Sequence, residues 1–344
     1  MSHHLDSRQP GTTGVLATGA YVPTAEMTNT ELAERFDVTE EWIERKTRML
    51  TRRYAAPGEA TSDLAVHAAR AALDQAGIDA DRIDYLIVAT TTPDSAVPPV
   101  ATIAQEALGA RRAACFDLNI GCSAFVHALA VAQALLERRP GAHALVIGAD
   151  TWSRFTDPAD RSTAVLLGDA AGAVVLGPVP APYGILGHDL LGHGDDAPLL
   201  VIDAGGSRRP ASHQTVDEGA HTLRMNGRGV IEFVMTHVPP SIKEVLGACG
   251  VAQEDVRHLV PHQANGALLG QLASAAGLDG ATLHTTLERY GNSGAASIPV
   301  TLDHAHRAGE LADGDLVVLS GFGGGMAVGT ALLRWYAGHA GDAR

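Results

Sequence analysis

Short apolar runs alternate along this chain with longer amphipathic stretches, and this alternation constrains the fold more than any other feature. Short apolar runs are typical of buried strands, whereas longer stretches with a period of 3.6 residues are typical of helices. Strands that alternate with helices predict an α/β fold. The predicted strands cover residues 85–90, 114–118, 144–148, 173–176, 258–261, 316–320 and 327–335, and the predicted helices cover 61–75, 97–108, 123–137, 240–249, 265–276 and 296–308.

Local residues indicate where some of these elements begin and end. Thr61 or Ser62 is a suitable N-cap for a helix that Gly77 would terminate. Stretches that contain proline and glycine, at 177–187 and 190–212, predict a linker and a loop between two halves. Each half closes with an apolar run, a glycine cluster and a further strand. The sequence therefore indicates a duplicated unit.

The length of 344 residues fits two such units. We divide the chain into a flexible tail over residues 1–10, a first half over 11–178 and a second half over 179–344. The functional site is expected at the seam between the halves. His3 and His4 in the tail are interpreted as incidental rather than as a metal site.

Composition excludes several classes of function. The net charge of −14 argues against nucleic acid or an anionic membrane as partner, because both require a basic surface. No apolar run reaches the ~20 residues that span a bilayer, and the first part of the chain lacks a signal-peptide core. Three scattered cysteines, Cys115, Cys122 and Cys249, are too few for a disulfide framework or a cysteine zinc site. We therefore expect a cytoplasmic protein, in which a thiol is free to act as a nucleophile.

Cys122 lies in the segment 117–125, where an apolar strand meets a predicted helix. In the first turn of a helix, the dipole and the unpaired N–H groups stabilise a thiolate. The dipole lowers the pKa of a thiol by less than about one unit, so a neighbouring imidazole is expected to contribute the rest. A buried structural cysteine is the alternative interpretation, and we adopt it for Cys115 and Cys249.

Two further polar residues stand at strand ends or turns. His262 follows Pro261 at the end of a predicted strand, and Asn265 opens the next helix. Asn292 lies in a turn of small residues before another helix. Each has a plain alternative interpretation, because a single histidine is commonly structural and Gly-Asn is a common turn signal.

Phe322 and the three glycines that follow it, called here the glycine run at 322–325, come after a strand. They raise the question of a dinucleotide-binding loop. It lacks the G-x-G-x-x-G spacing, and the residues after it alternate like a strand instead of opening a helix. We therefore exclude that interpretation. A glycine run that brings backbone amides close to a substrate carbonyl fits better.

Four motifs, in this order and at these spacings, resemble the β-ketoacyl-ACP synthase III family of the thiolase superfamily. They are Cys122, residues 262–265, residues 291–292 and residues 322–325, with further matches at 41–43, 89–94 and 168–172. The resemblance covers nearly the whole chain. It implies a duplicated, five-layered αβαβα thiolase-like fold, a homodimer and a Cys-His-Asn triad.

The resemblance also implies the chemistry. Cys122 would take an acyl group from acyl-CoA, and a covalent acyl-enzyme divides one difficult step into two. The amides of Cys122 and Gly324 would form an oxyanion hole, in which each donor is worth ~3–4 kcal/mol. A malonyl-type thioester would then lose carbon dioxide, and neutral His262 and Asn292 would hold the enolate oxygen. This reaction requires neither a metal nor a redox cofactor, and acyl-CoA enters as substrate.

The resemblance assigns further residues to the binding of coenzyme A. In it, Trp42 and Arg161 enclose the adenine by stacking and cation–π contact, and Asn265 hydrogen-bonds to the pantetheine arm. The alternatives are a core aromatic for Trp42 and a surface charge for Arg161. The full CoA-binding set is Trp42, Lys46, Arg161, Met225, Gly227 and Asn265.

The chain departs from the family where carrier proteins are thought to dock. The basic residues that follow the His-Gln-Ala-Asn motif in the family are missing from 265–276, and a further basic position is Glu232. Each lost surface contact is worth ~0.5–1 kcal/mol. An acyl carrier protein stays open as a partner, but its docking is expected to be weak and slow.

Other departures lie nearer the expected substrate. Arg48 replaces a glycine, so the backbone there either avoids a positive φ or is strained. Val97 stands where many members have a bulky aromatic, and with Phe322 it is assigned to the acyl pocket, which is expected to be roomy. The nucleophile is followed by Ser123 and Ala124, and nothing in the sequence explains that change.

Two functions remain open. The first is decarboxylative condensation of an acyl primer with a malonyl-type extender, in specialised polyketide or fatty-acid-like biosynthesis; the intact His262 and Asn292 favour it. The second is acyl transfer to a hydroxyl, an amine or a carrier thiol without a new carbon–carbon bond; the missing docking cations favour it. An inactive scaffold subunit is disfavoured because every triad residue is present.

Overall fold

The computed structural model describes residues 12–338, so the predicted tail at 1–10 lies outside the described residues. The strands are β1 (Thr12–Tyr21), β2 (Ala25–Thr28), β3 (Thr51–Tyr54), β4 (Tyr85–Ala89), β5 (Ala114–Leu118), β6 (Ala144–Thr151), β7 (Asp169–Val179), β8 (Gly184–Gly192), β9 (Leu200–Ile202), β10 (Leu223–Met225), β11 (Val256–Pro261), β12 (Thr282–Leu283), β13 (Leu316–Gly323) and β14 (Ala327–Arg334). The helices are α1 (Asn29–Phe36), α2 (Glu40–Thr47), α3 (Thr61–Ala76), α4 (Val100–Leu108), α5 (Ala124–Glu137), α6 (Arg161–Ala164), α7 (His213–Asp217), α8 (Gly227–Ala248), α9 (Gly266–Ala276), α10 (Leu287–Tyr290) and α11 (Ser297–Arg307).

Two five-stranded sheets dominate the described chain and repeat one topology. The first has the order β1-β7-β6-β4-β5 and the second the order β8-β14-β13-β11-β12. In each sheet the first two pairs are antiparallel and the last two are parallel. This confirms the duplicated unit that the sequence indicated. The division of the chain between residues 178 and 179 stays a prediction.

The two sheets form a five-layered αβαβα arrangement, which confirms the predicted fold. Helices α3 and α4 pack on the outer face of the first sheet, and α8 packs on the outer face of the second with α9 beside it. Helices α5 and α11 lie between the sheets and contact both. Buried aliphatic side chains fill each of these interfaces, because both faces of both sheets are covered.

Every predicted strand and helix is present, but several bounds differ. The first turn of the helix predicted at 97–108 is wrong, since α4 begins only at Val100 after two prolines that disfavour helical geometry in the preceding residue. The carboxylate of Asp117 accepts hydrogen bonds from the amides of Val100 and Ala101 and so caps this helix. The N-cap of α3 is Ala60 instead of Thr61 or Ser62, whereas Gly77 terminates that helix as predicted.

The prediction of a linker over 177–187 and a loop over 190–212 is confirmed only for residues 180–183 and 203–212, which lie outside the helices and strands. Residues Gly184–Gly192 form β8, an edge strand of the second sheet that pairs with β14. Glycine and histidine interrupt the apolar alternation of β8, so its strand character comes from pairing with its neighbour rather than from local propensity. A 3₁₀ turn at Gly194–Leu199 and the short strand β9 follow.

The helix predicted at 240–249 is much longer than expected. Proline is favoured at the first helical position, which suggested a start at Pro240, but α8 runs over Gly227–Ala248 with Pro239 and Pro240 inside it. An interior proline costs ~3 kcal/mol. Burial of Phe233, Val234, Val238, Ile242, Val245 and Leu246 against the second sheet offsets that cost. Among residues 12–338, no helix combines the length and apolar character needed to cross a membrane.

Candidate active site

A tight turn between β5 and α5 presents Cys122. Gly121 has φ +57°, and a Cβ added there would lie 2.4 Å from the carbonyl oxygen and 2.6 Å from the amide nitrogen of Gly324. The Ser123 hydroxyl donates to the carbonyl of Ile120 at 2.9 Å and closes the turn. Only glycine at position 121 permits this approach, so the glycine run at 322–325 lies directly against the nucleophile turn.

Adjacent residues of β13 contact the cysteine and the histidine. A Cβ added to Gly323 would lie 2.8 Å from Cys122 Cβ and 3.2 Å from its sulfur. The ring of Phe322 meets that of His262 edge-on, with centroids 5.2 Å apart. Strand β13 therefore brings together residues that are far apart in the sequence.

His262 directly follows β11 and is held on two sides. Its backbone amide donates to the carbonyl of Ser320 at 2.8 Å, and its Nδ1 lies 2.8 Å from Ser297 Oγ. Its side chain is 2% exposed. The sequence singled out the histidine but gave no sign of its serine partner.

Asn292 is connected to His262 through Gly294. The amide of Gly294 donates to Asn292 Oδ1 at 3.0 Å, and the backbone of Gly294 is hydrogen-bonded to His262. The Asn292 backbone forms an isolated bridge with Leu167, in which Asn292 N donates to Leu166 O at 2.8 Å. The asparagine side chain is thereby oriented by two separate segments of the chain.

A buried carboxylate supports this arrangement from behind. Asp150 accepts hydrogen bonds from the amides of Thr91 and Thr92, from two threonine hydroxyls and from the amide of Ala295. It therefore links the end of β4 to the turn that carries Gly294. Five donors satisfy a buried acid group well, even though burial raises the pKa of Asp150.

Two cavities meet at the cysteine. The larger has a volume of about 610 Å³ and the smaller of about 30 Å³. The residues that line both are Cys122, Trp152, Leu200 and Leu223. Gly324 lines the larger cavity, whereas Asn292 and Met225 line the smaller one. Cys122 thus forms part of the wall of both cavities.

Burial controls the protonation of the two groups that titrate here. It raises the pKa of the Cys122 thiol to about 12, and the charge of Asp150 acts in the same direction. It lowers the pKa of His262 to about 3, against a hydrogen bond to the backbone of Gly294. A backbone hydrogen bond at Cys122 lowers the thiol pKa, but desolvation is larger and raises the pKa overall, whereas the expected contribution of the helix dipole stays a prediction. The resting pair is a thiol and a neutral imidazole.

The residues predicted to bind CoA lie on elements that contact one another. Arg161 Cζ stands 5.4 Å from the centroid of the Trp42 ring, within the range of a cation–π contact. Asn265 caps α9, and its Nδ2 donates to the carbonyl of Lys46 at 2.9 Å. Met225 lines the small cavity, and Gly227 begins α8. Their role in binding CoA stays a prediction.

The assignment of Val97 and Phe322 to the acyl pocket stays a prediction. Val97 is 82% exposed and Phe322 is 1% exposed, and neither is among the described residues that line the two cavities. Val97 directly precedes two prolines, and the ring of Phe322 faces His262.

Sequence reasoning missed the residues that line both cavities with the cysteine. Trp152 and Asp150 stand at the carboxyl end of β6, where a polar or aromatic residue after a buried strand could have marked them. Leu200 and Leu223 belong to the short strands β9 and β10, in which no periodic pattern is long enough to be recognised.

The fold and the site together define an enzyme of the thiolase superfamily with a cysteine where two cavities meet. The family described as 3-oxoacyl-[acyl-carrier-protein (ACP)] synthase III matches residues 116–194, and its C-terminal region matches residues 246–335. The chain belongs to this family.

Relatives span nearly the whole chain. Acetoacetyl CoA synthase NphT7 of Streptomyces sp. (strain CL190) is 47% identical over 323 residues, which cover 93% of this chain and 98% of that protein. A β-ketoacyl-[acyl-carrier-protein] synthase III of Caldanaerobacter subterraneus subsp. tengcongensis is 41% identical, with 94% and 97% covered. The crystal structure of the priming β-ketosynthase from the R1128 polyketide biosynthetic pathway is similar with a TM-score of 0.88 and 32% identity, over 97% of this chain and 100% of that one.

Proposed function

We propose that this enzyme condenses an acyl-CoA with a malonyl thioester through an acyl group carried on Cys122. The observation that carries the proposal is the position of Cys122, which lines the large cavity together with Gly324 and the small cavity together with Asn292. An acyl chain attached to the sulfur would occupy the large cavity. The malonyl end of the second thioester would then lie on the side of Cys122 that Asn292 and Met225 line.

In the loading step, Cys122 sulfur attacks the thioester carbonyl of acyl-CoA. The new S–C bond forms, the bond to the CoA sulfur breaks, and the thiol proton leaves with CoA. The amides of Cys122 and Gly324 are the proposed donors to the oxyanion, and each such donor contributes ~3–4 kcal/mol to transition-state stabilisation. The close packing of Gly121 on Gly324 supports this role, because it fixes the second amide beside the first.

In the condensation step, a malonyl thioester loses its carboxylate as carbon dioxide. The electron pair left behind forms an enolate, which attacks the acyl carbon on Cys122. A carbon–carbon bond forms, and the cysteine sulfur leaves and regains a proton. His262 and Asn292 are the proposed donors to the enolate oxygen. The depressed pKa of His262 supports this, because a neutral imidazole donates a hydrogen bond without giving up its proton to the enolate.

The extender is proposed to arrive on CoA rather than on a carrier protein. The outward residues of α9 are Ala267, Gly270, Gln271 and Ser274, none of them charged, and Glu232 on α8 is also exposed. An acidic carrier protein finds little electrostatic attraction on such a face. One relative bears the name acetoacetyl CoA synthase, which points to a product on CoA.

Two further features complete the proposal. We propose that Trp42, Arg161, Lys46 and Asn265 hold the nucleotide and the pantetheine arm of CoA. We also propose that the protein is a cytoplasmic homodimer that acts in specialised polyketide or fatty-acid-like biosynthesis. The exposure of Val97, at 82%, supports a partner that covers this segment.

A second candidate is acyl transfer to a hydroxyl, amine or carrier thiol without condensation. The uncharged outer face of α9 favours it, since a condensing enzyme that relied on a carrier protein would need cations there. The two candidates differ in whether carbon dioxide is released.

The decisive experiment follows both steps separately. Intact-mass measurement after incubation with acyl-CoA is expected to show one added acyl group on the wild type and on the matched controls Cys115→Ala and Cys249→Ala, and none on Cys122→Ala. Addition of malonyl-CoA is then expected to release carbon dioxide in proportion to the acyl group lost. Acylation of Cys122→Ala would refute the nucleophile, and acyl turnover without carbon dioxide would favour the second candidate.

A further inference from the structure

A cluster of two histidines and one aspartate lies apart from the site described above. It consists of His193, which directly follows β8, Asp196 in the 3₁₀ turn Gly194–Leu199, and His237 on α8. One ligand atom from each residue lies within 4.8 Å of the other two. None of the three is among the described residues that line the cavities at Cys122.

Packing holds the two imidazoles together. The rings of His193 and His237 have centroids 4.0 Å apart, and Phe233, one turn earlier on α8, contacts both of them. A pair of imidazoles so close cannot both carry a proton without repulsion. Burial lowers the pKa of His237, the nearby His193 acts in the same direction, and Asp196 and Asp195 oppose both.

One donor atom in the cluster lacks a partner. Nε2 of His193 is buried and makes no hydrogen bond within the described chain. An unsatisfied buried nitrogen costs ~1–3 kcal/mol unless another group satisfies it. A cation bound by Nε2 of His193, a nitrogen of His237 and the carboxylate of Asp196 would satisfy it.

We propose that His193, Asp196 and His237 bind one divalent transition-metal cation, with Zn²⁺ as the best fit. Imidazole nitrogens suit zinc, and two histidines with one carboxylate are a known zinc ligand set that leaves a fourth position for water. Two carboxylates beside the rings and a protein net charge of −14 favour a cation further.

The position of the cluster would let a bound cation stabilise the structure around the active site. The amide of His193 donates to the carbonyl of Met326 at 2.8 Å, directly after the glycine run at 322–325. Asp196 lies in the turn that leads to Leu200, which lines both cavities. A bound cation would therefore connect α8 to the wall of the catalytic cavity without touching a substrate.

Zinc binding to the purified, chelator-treated full chain tests the proposal by competition with a metal-binding dye. All proteins carry His3→Gln and His4→Gln so that the N-terminal histidines do not contribute. One Zn²⁺ per chain is expected, with affinity at least ~10-fold lower in His193→Gln, Asp196→Asn and His237→Asn. His213→Gln, an exposed histidine outside the cluster, is the matched control and is expected to bind as the parent does.

A second measurement does not depend on the variants. Co²⁺ bound to the parent protein is expected to show the absorption of a site with nitrogen and oxygen ligands and no thiolate charge-transfer band. Equal zinc affinity in the parent and all three cluster variants would overturn the proposal. A cobalt spectrum with a strong thiolate band would overturn it as well, because the cation would then be on a cysteine.

Discussion

Gly294 contacts several groups of the proposed active site at once. Its amide donates to Asn292, its backbone is hydrogen-bonded to His262, and its φ of +59° is unfavourable for any residue with a Cβ. A Cβ at this position would lie 2.2 Å from Asp150 Oδ2 and 2.2 Å from Trp152 Nε1. A side chain at position 294 would therefore displace Trp152, which lines both cavities, or the buried carboxylate of Asp150.

Gly294→Ala is therefore expected to lower kcat/KM for condensation by ~100-fold or more, since small displacements of catalytic groups have effects of this size. Gly77→Ala is the matched control, because Gly77 has φ +63° but open space around the new Cβ. The control is expected to lose some stability through backbone strain and no activity. Steady-state kinetics with thermal unfolding of both variants would check this, and equal activity in the two would count against the role of Gly294.

The protonation of Cys122 leads to a second prediction at this scale. Because burial raises its pKa to about 12, the thiolate fraction at neutral pH is very small. The rate of alkylation by iodoacetamide is expected to rise about tenfold per pH unit between about pH 7 and pH 10, without a plateau. The measurement uses the Cys115→Ala/Cys249→Ala protein, so that Cys122 is the only thiol. A plateau near neutral pH would mean that the free enzyme already holds a thiolate.

At the scale of elements, the end of α2 carries a strained residue. Arg48 caps this helix with φ +61°. Of the two outcomes expected where an arginine replaces a glycine, the structure thus shows a positive φ with strain. Its Cβ packs against Gly266 at the start of α9. The side chain thus stays beside the residues proposed to bind CoA at the expense of backbone geometry.

Arg48→Gly is expected to raise the free energy of unfolding by ~0.5–1 kcal/mol and to raise KM for acyl-CoA, since it removes both the strain and a cation. Asp37→Gly is the control, because Asp37 caps α1 with φ +51° and its replacement removes no cation. That variant is expected to gain stability with no change in KM. Urea denaturation measures the free energy of unfolding, and initial rates give KM. An unchanged KM for Arg48→Gly would show that the charge of Arg48 does not contribute to CoA binding.

Elements with a continuous apolar run were predictable from the sequence, and elements that depend on neighbours were not. Strands β4, β6 and β11 are central and buried, so their sequences carry the pattern by themselves. Edge strand β8 was missed because its regularity comes from pairing with β14. The first turns of α8 were missed because packing on the second sheet tolerates two interior prolines that local rules place at a helix start.

The site shows the same limit. Cys122, His262 and Asn292 were singled out because their motifs together resemble those of the family, whereas each residue alone had a plain alternative interpretation. Ser297 and Leu200 were not, because their contact with the site depends on how distant segments pack. The direction of the thiol pKa also required the structure, since desolvation depends on burial that no local pattern reveals.

At the scale of the whole molecule, we expect surface charge to influence which thioester reaches the site. Glu232→Lys places a cation on the exposed face of α8 and is expected to raise the initial rate with a malonyl carrier protein by several-fold at low salt, while the rate with malonyl-CoA stays the same. Glu244→Lys, farther along α8, is the control for net charge. Equal rates with the carrier protein before and after Glu232→Lys would remove the support for a docking defect.

The two central helices have a consequence for the origin of the chain. Helix α5 belongs to the segment of the first sheet and contacts both sheets, whereas α11 belongs to the segment of the second sheet and packs mainly on the first. Neither segment alone supplies both helices of the middle layer. An ancestral gene that encoded only one segment would have produced a protein whose middle layer stayed incomplete until it associated with another copy of itself. Fusion of two such genes would have joined the two copies in one chain. One half could then carry the nucleophile, and the other half the groups that assist it.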